Sequence, residues 1–142
     1  KSSLQIYNYS IEAIPTGYIL LQTDKKSAVE IISNTKPLPM DDIELISSHA
    51  LAAQYLGKSL LFLEAGSNSN YPADTSIIKK IASIIDIPIM IGGGIKNLSS
   101  AVSIANSGAS YIVIGSLIED NSDYLELLDI NNAIHNASNN EK

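Results

Sequence analysis

Two short apolar runs that end in glycine constrain this chain more than any other feature. They are Pro88-Ile89-Met90-Ile91-Gly92-Gly93-Gly94-Ile95 and Tyr111-Ile112-Val113-Ile114-Gly115-Ser116. A run with no polar alternation reads as a strand buried on both faces, as in a parallel sheet sheathed by helices. Glycine just beyond a strand lets the backbone approach a ligand with no Cβ in the way. One helix-length segment, Asn97 to Ser107, separates the runs, so the unit is β-α-β. Two successive strands that end in glycine and feed helices match the phosphate cradle made by the last two strands of a (β/α)8 barrel. The plainer alternative is a pair of glycine turns, but a triple glycine weakens a turn with no packing benefit.

A complete (β/α)8 barrel takes ~200 residues or more, and this chain has 142. The expected fold is therefore α/β, the C-terminal half of a TIM barrel with about four βα units, in one partial domain over residues 1–142. Hydrophobic residues at 45% and charged residues at 17% fit a folded chain rather than a disordered one. The absence of cysteine excludes disulfides and thiolate metal sites. No apolar run approaches the ~18 residues of a membrane span. The start, Lys1-Ser2-Ser3-Leu4, has neither a signal-peptide core nor a Met, so the expectation is a cytoplasmic chain that begins mid-protein. A net charge of −6 and a pI of about 4.7 argue against nucleic acid and against an anionic membrane surface as partners. A phosphate ligand has to be held by local backbone N–H groups instead.

Residues 1–12 read as the end of a helix plus a loop. Gly17 to Gln22 is the first strand by its apolar and β-branched content, and Thr23 to Lys26 a polar turn. Ala28-Val29-Glu30-Ile31-Ile32 suggests a short extra strand, and Asn34 to Pro39 a loop because of its two prolines. So long an excursion after a barrel strand is either a functional lid or inert. Asp41 to Leu56 is a helix capped by Asp41, with Ile46, Ala50 and Ala53 on one stripe and Gly57 as its stop. The small residues of that stripe allow close packing on a sheet. Leu60 to Glu64 is the second strand. Asp74 or Thr75 caps the next helix, whose core face is Ile77, Ile78, Ile81, Ile84 and Ile85. Asn97 caps the third, with Ala101, Ile104 and Ala105 inward and Gly108 at its end. A last helix opens at Asp123 and runs to about His135, with Leu127, Ile130 and Ile134 inward, before a frayed polar tail from Asn136 to Lys142.

The unusual residues all follow strands, on what is the active face of such a fold. Glu64 is the one strand-terminal carboxylate. After an apolar run it is expected to be partly desolvated with a raised pKa, which suits a general base; the alternative is a solvated strand-end acid. Ala65, Gly66, Ser67 and Asn68 are small and polar. With Gly93-Gly94 and Gly115-Ser116 they form three neighbouring loops able to converge on one phosphate. His49 reads as a surface or helix-packing residue, and His135 sits near a helix C-terminus. Neither has a partner at zinc spacing. Asp41-Asp42 reads as a helix start. Tyr18 either points into the barrel mouth or packs.

Four motifs, in order and at matching separations over about residues 10 to 120, resemble geranylgeranylglyceryl phosphate synthases of archaea and some bacteria. They are Glu12 to Leu20, Phe62-Leu63-Glu64-Ala65-Gly66-Ser67, Ile91-Gly92-Gly93-Gly94-Ile95 and Ile114-Gly115-Ser116. The resemblance implies a (β/α)8 barrel and a prenyltransferase. Such an enzyme joins the prenyl group of a geranylgeranyl-type diphosphate to the C3 hydroxyl of sn-glycerol 1-phosphate, giving an ether-lipid precursor. It implies that Phe62, Leu63, Glu64, Ala65, Gly66, Ser67 and Asn68 wrap the glycerol phosphate. Gly93, Gly94, Gly115 and Ser116 would hold its phosphate, and Glu64 would take the hydroxyl proton. The family usually has Tyr where Phe62 stands and Gly where Asn68 stands.

The family's Mg²⁺-binding acid lies at the end of its first strand, in an N-terminal half absent here. The four strands would be the fifth to eighth, and no metal ligand is expected in this chain. The resemblance also implies homo-oligomers, and an open half barrel calls for association with something, its N-terminal half included. Two alternatives stay open: another phosphate-binding barrel enzyme, such as an isomerase or lyase, or a non-catalytic phosphate-binding half-barrel module.

Overall fold

The computed structural model describes residues 2–66, 69–115 and 124–139. Its elements, in chain order, are α1 (Ser2–Asn8), β1 (Thr16–Leu20), α2 (Ala28–Ser33), α3 (Ile43–Tyr55), β2 (Leu60–Glu64), α4 (Thr75–Ala82), β3 (Ile89–Gly92), α5 (Leu98–Ala105), β4 (Tyr111–Val113) and α6 (Tyr124–Asn139). The strands form one sheet in the order β1-β2-β3-β4. Every pairing is parallel, with Tyr18 opposite Phe62, Phe62 opposite Met90, and Met90 opposite Tyr111.

The period of two along a strand splits the sheet into two unlike faces. One face carries Ile19, Leu61, Leu63, Ile89 and Ile91, all buried in a single core with Ile46 and Ala50 of α3, Ile77, Ile78 and Ile81 of α4, and Ala101 and Ile104 of α5. The opposite face carries Tyr18, Phe62, Glu64, Met90, Gly92, Tyr111 and Val113, of which Tyr18, Tyr111 and Val113 are exposed. This corrects the reading of the last strand as buried on both faces. In β4 only Ile112 turns toward the helices, and among the described residues Tyr111 and Val113 stay exposed on the other side.

Local signals explain most boundaries. Asp74 caps α4 by accepting from the Ser76 N–H, and Asn97 caps α5 by accepting from the Ser100 N–H. The cap of α3 is Asp42, which accepts from the Leu45 N–H, and not Asp41 as the spacing suggested. Residues 28–33 are helical and not an extra strand. Ser27 caps them through the Glu30 N–H, and Asn34 closes them in the left-handed region. The helix α6 continues to Asn139, so the first residues of the polar tail are helical; buried Ile130 and partly buried Ile134 join the core. The expected inward position of Leu127 and the segment from Ser116 to Asp123 lie outside the described residues.

Gly17 is where α3 meets β1. A Cβ on Gly17 would fall 2.6 Å from the Ala53 Cβ and 3.3 Å from a Leu61 methyl. The small stripe of α3 therefore packs on a strand that is itself bare. Gly17→Ala is expected to force the helix off the strand and cost about 1–3 kcal/mol, read as a lower urea midpoint with an unchanged slope.

Candidate active site at the strand C-termini

Register brings the site together. Leu20, Glu64, Gly92 and Val113 lie in one row across the sheet, at the C-terminal ends of the four strands. Glu64 therefore leaves the sheet on the open face, one residue pair beyond Tyr18 and Phe62. Those two rings meet edge to face, with centroids 5.1 Å apart and planes at 79°. The chain then turns, and the Gly66 N–H donates to Glu64 Oε1 at 2.7 Å.

Gly92 and Gly93 make room for this carboxylate, and Gly94 for the next loop. A Cβ on Gly92 would sit 2.9 Å from Glu64 Oε2 and 2.8 Å from the Phe62 ring. One on Gly93 would sit 2.8 Å from Glu64 Oε1 and 2.5 Å from the Gly66 nitrogen. One on Gly94 would overlap the Tyr71 carbonyl. Gly93 and Gly94 also have φ of +85° and +70°, in the left-handed region that disfavours any Cβ. Close approach of backbone and carboxylate thus explains three consecutive glycines better than a bare turn does.

Burial pushes the Glu64 carboxyl above its ordinary range, and the Gly66 N–H only partly opposes this. The direction matches a desolvated acid and not a solvated strand end. Tyr18 is pushed up to about 12 by burial and, second, by the Glu64 charge, so its hydroxyl keeps its proton at neutral pH.

Other residues singled out in the sequence take varied positions. Phe62 is half-buried on the open face, whereas Leu63 points its side chain into the helix-side core. Ala65 is buried, and its N–H donates to the Gly92 carbonyl at 2.9 Å, locking the first loop to the second. Gly115 lies two residues past Val113, and a Cβ there would meet none of the described residues within 4 Å. Ser67, Asn68 and Ser116 lie outside the described residues. His49 is exposed and bonded to the Leu45 carbonyl at 2.9 Å, and His135 is exposed on α6. Among the described residues there is no group of three or more His, Cys, Asp or Glu able to hold a metal ion. No helix among them is long and apolar enough to cross a membrane.

The family model described as "PcrB family" matches residues 2–134 of this sequence. The chain belongs to the PcrB family. The resemblance drawn from the four motifs is borne out. A relative named geranylgeranylglyceryl phosphate synthase, from Zunongwangia profunda, is 41% identical over 84% of this chain and 51% of its own length. Another of that name, from Pyrococcus horikoshii, is 37% identical over 80% of this chain and 44% of its own. Among solved structures, the (S)-3-O-geranylgeranylglyceryl phosphate synthase of Thermoplasma acidophilum, in complex with its substrate sn-glycerol-1-phosphate, superposes with a TM-score of 0.86. It is 33% identical, over 94% of this chain and 53% of that one. The chain spans about half the length of the curated relatives it matches. Its four parallel βα units are half of their TIM-barrel fold.

In this PcrB chain, sequence reasoning passed over Gly92 and left Tyr18 open. The signal for both lies in the period of two: in the neighbouring strands β1 and β3 they fall on the sheet face that presents Glu64. The acid's raised pKa gives a signed expectation. A carboxyl raised in the folded state favours folding fully below its ordinary range, and that contribution is lost as pH rises through the raised value. Glu64→Gln is therefore expected to be the more stable protein at pH 7 and to converge with the parent below the ordinary glutamate range in urea titrations. Gly115→Ala is expected to leave stability within about 0.5 kcal/mol, so any loss of ligand binding in it reports a contact and not a misfold.

Proposed function

We propose that this chain is the glycerol phosphate half of a prenyltransferase, acting in the cytoplasm, with its four strands as the fifth to eighth of a (β/α)8 barrel. The observation that carries this reading is the desolvated Glu64 carboxylate lying on the Gly92–Gly93 backbone with one oxygen on the Gly66 N–H. A base and a bare-backbone cradle in contact suit a small substrate bearing both a hydroxyl and a phosphate. The substrate is sn-glycerol 1-phosphate, the ligand of the similar Thermoplasma acidophilum enzyme.

Phe62, Ala65, Gly66, Ser67 and Asn68 border the glycerol; Gly93, Gly94, Gly115 and Ser116 face the phosphate. Leu63 contributes backbone only, because its side chain belongs to the core. The C3 hydroxyl oxygen bonds to C1 of the allylic prenyl chain as the bond from C1 to diphosphate breaks. Diphosphate leaves with that electron pair, and Glu64 Oε2, the oxygen not held by Gly66, accepts the hydroxyl proton. A divalent cation, Mg²⁺ in this proposal, belongs with the diphosphate. The described residues here do not fit it, and its ligands are assigned to the half of the barrel this chain does not span.

Exposed Tyr18, Tyr111 and Val113, with edge strands β1 and β4, call for a covering partner. We assign that place to the N-terminal half of the same barrel, with homo-oligomers built from completed barrels. The test is a complete barrel in which the N-terminal half of the Zunongwangia profunda relative precedes this chain, assayed with labelled geranylgeranyl diphosphate and Mg²⁺. Expected is an ether-linked product from sn-glycerol 1-phosphate and none from the sn-3 enantiomer. A folded barrel that binds phosphate and forms no product with any prenyl diphosphate would favour an isomerase, a lyase or a non-catalytic module.

A further inference from the structure

Three loops at the strand C-termini are joined by one side chain. Asn70, after β2, donates from Nδ2 to Asp24 Oδ2 at 2.6 Å and from its backbone N–H to Asp24 Oδ1 at 3.3 Å. Its Oδ1 accepts from Lys96 Nζ at 3.0 Å. Asp24 follows β1 and Lys96 follows β3, so the bonds span 46 and 26 residues of sequence. The amide orientation is dictated chemically. An ionised carboxylate only accepts and an ammonium only donates, so Nδ2 must face Asp24 and Oδ1 must face Lys96. Both bonds are charge-assisted, the stronger kind.

The loop that presents Asn70 is also the one that packs on the glycine cradle. The Ser69 N–H donates to the Gly66 carbonyl at 3.0 Å. The Ser69 hydroxyl, buried, donates to the Tyr71 carbonyl at 2.6 Å and accepts from the Tyr71 N–H at 3.1 Å. That same Tyr71 carbonyl lies against the Cα of Gly94. On the β1 side, a Cβ on Gly66 would come within 3.0 Å of the Ser27 Cβ. Gly66 and the residues Ser69 to Tyr71 are thus wedged between the other two loops, and Asn70 is their polar tie to both.

We propose that Asn70 is a positioning residue: through Asp24 and Lys96 it fixes the separation of the Gly66 loop from the Gly93-Gly94 loop, and thereby sets phosphate-ester affinity without touching the ligand. Lys96, two residues past Gly94, has its ammonium held by Asn70 at the same time, in a protein whose net charge of −6 otherwise repels an anion. This rests on the reading of the site given above for its ligand, but not for its geometry.

Two readouts on the 142-residue chain separate those parts. Asn70→Leu removes both side-chain bonds at similar volume; Asn70→Asp keeps an acceptor for Lys96 but sets a second carboxylate against Asp24. Asn70 is exposed, so both variants are expected to fold, with only a small fall in the unfolding midpoint. Amide hydrogen exchange at Ala65, Gly66 and Gly94 is expected to quicken in both variants while the core strands stay protected. Unchanged exchange there would overturn the proposal whatever the ligand. Calorimetric titration with sn-glycerol 1-phosphate is expected to show about tenfold weaker binding for Asn70→Leu. A double-mutant cycle between Asp24→Ala and Lys96→Met is expected to show coupling that vanishes in the Asn70→Leu background. Affinity within twofold of the parent, or coupling that survives without Asn70, would overturn it. If the parent chain binds no glycerol phosphate while exchange quickens as expected, the clasp stands and the ligand assignment fails.

Discussion

Glu64→Gln, made in a completed barrel, is expected to retain sn-glycerol 1-phosphate affinity within about twofold and to lose turnover by about 10³-fold. The substitution keeps shape and keeps an oxygen for the Gly66 N–H, which already occupies Glu64 Oε1 at 2.7 Å. What it removes is proton affinity on the free oxygen above Gly92. Folding does not confound the result, because loss of a desolvated charge is stabilising at neutral pH. The acidic limb of the parent's pH–rate profile is expected above the ordinary glutamate range, since burial raises this carboxyl, and to be absent in the variant. Single-turnover kinetics with saturating prenyl diphosphate separates chemistry from release. Parent-like turnover would remove Glu64 from the base role.

The second large effect is expected at Gly94. Gly94→Ala places a Cβ into the Tyr71 carbonyl and the Pro72 nitrogen, at a residue whose φ is +70°. Those neighbours are backbone and cannot rotate aside as a flexible side chain would. Left-handed strain alone costs an alanine ~1–2 kcal/mol, and the displaced backbone raises the total to about 3 kcal/mol or more. The loops after β2 and β3 must part, so ligand binding is expected to disappear together with several degrees of thermal stability. Gly115→Ala is the matched contrast, a glycine on the same rim where a Cβ would meet none of the described residues within 4 Å. If both alanines proved equally benign, the packed two-loop cradle described here would be wrong.

The strands that carry the site were legible because their signals are local. Leu60 to Glu64 is apolar up to the acid and ends at a small-residue loop, and its observed bounds coincide with the reading. Asn97 and Asp74 announce their helices by type and place. The segment 28–33 was misread as a strand because Val29, Ile31 and Ile32 are β-branched. None of its six residues is buried, so no apolar period marks it as a helix, and only the Ser27 cap and the left-handed Asn34 decide its form. Choosing Asp42 over Asp41 required the backbone angles of two adjacent acids. The exposure of Tyr111 and Val113 follows from what lies opposite the sheet and not from the run itself. The clasp through Asn70 was invisible for a similar reason: an Asp, an Asn and a Lys in three separate loops carry no mutual spacing until the register of the sheet sets them side by side.

The central claim, that this chain holds a stereospecific glycerol phosphate site, is tested most directly by calorimetric titration of the 142-residue chain with sn-glycerol 1-phosphate and, separately, its sn-3 enantiomer. The base and the phosphate cradle fix two points of the ligand, and the open face beside them, with Tyr18 and Phe62, is the third that the account requires to direct the C2 hydroxyl, so the account predicts clear preference for the sn-1 form. Equal binding of the two enantiomers, or binding of neither, would contradict it.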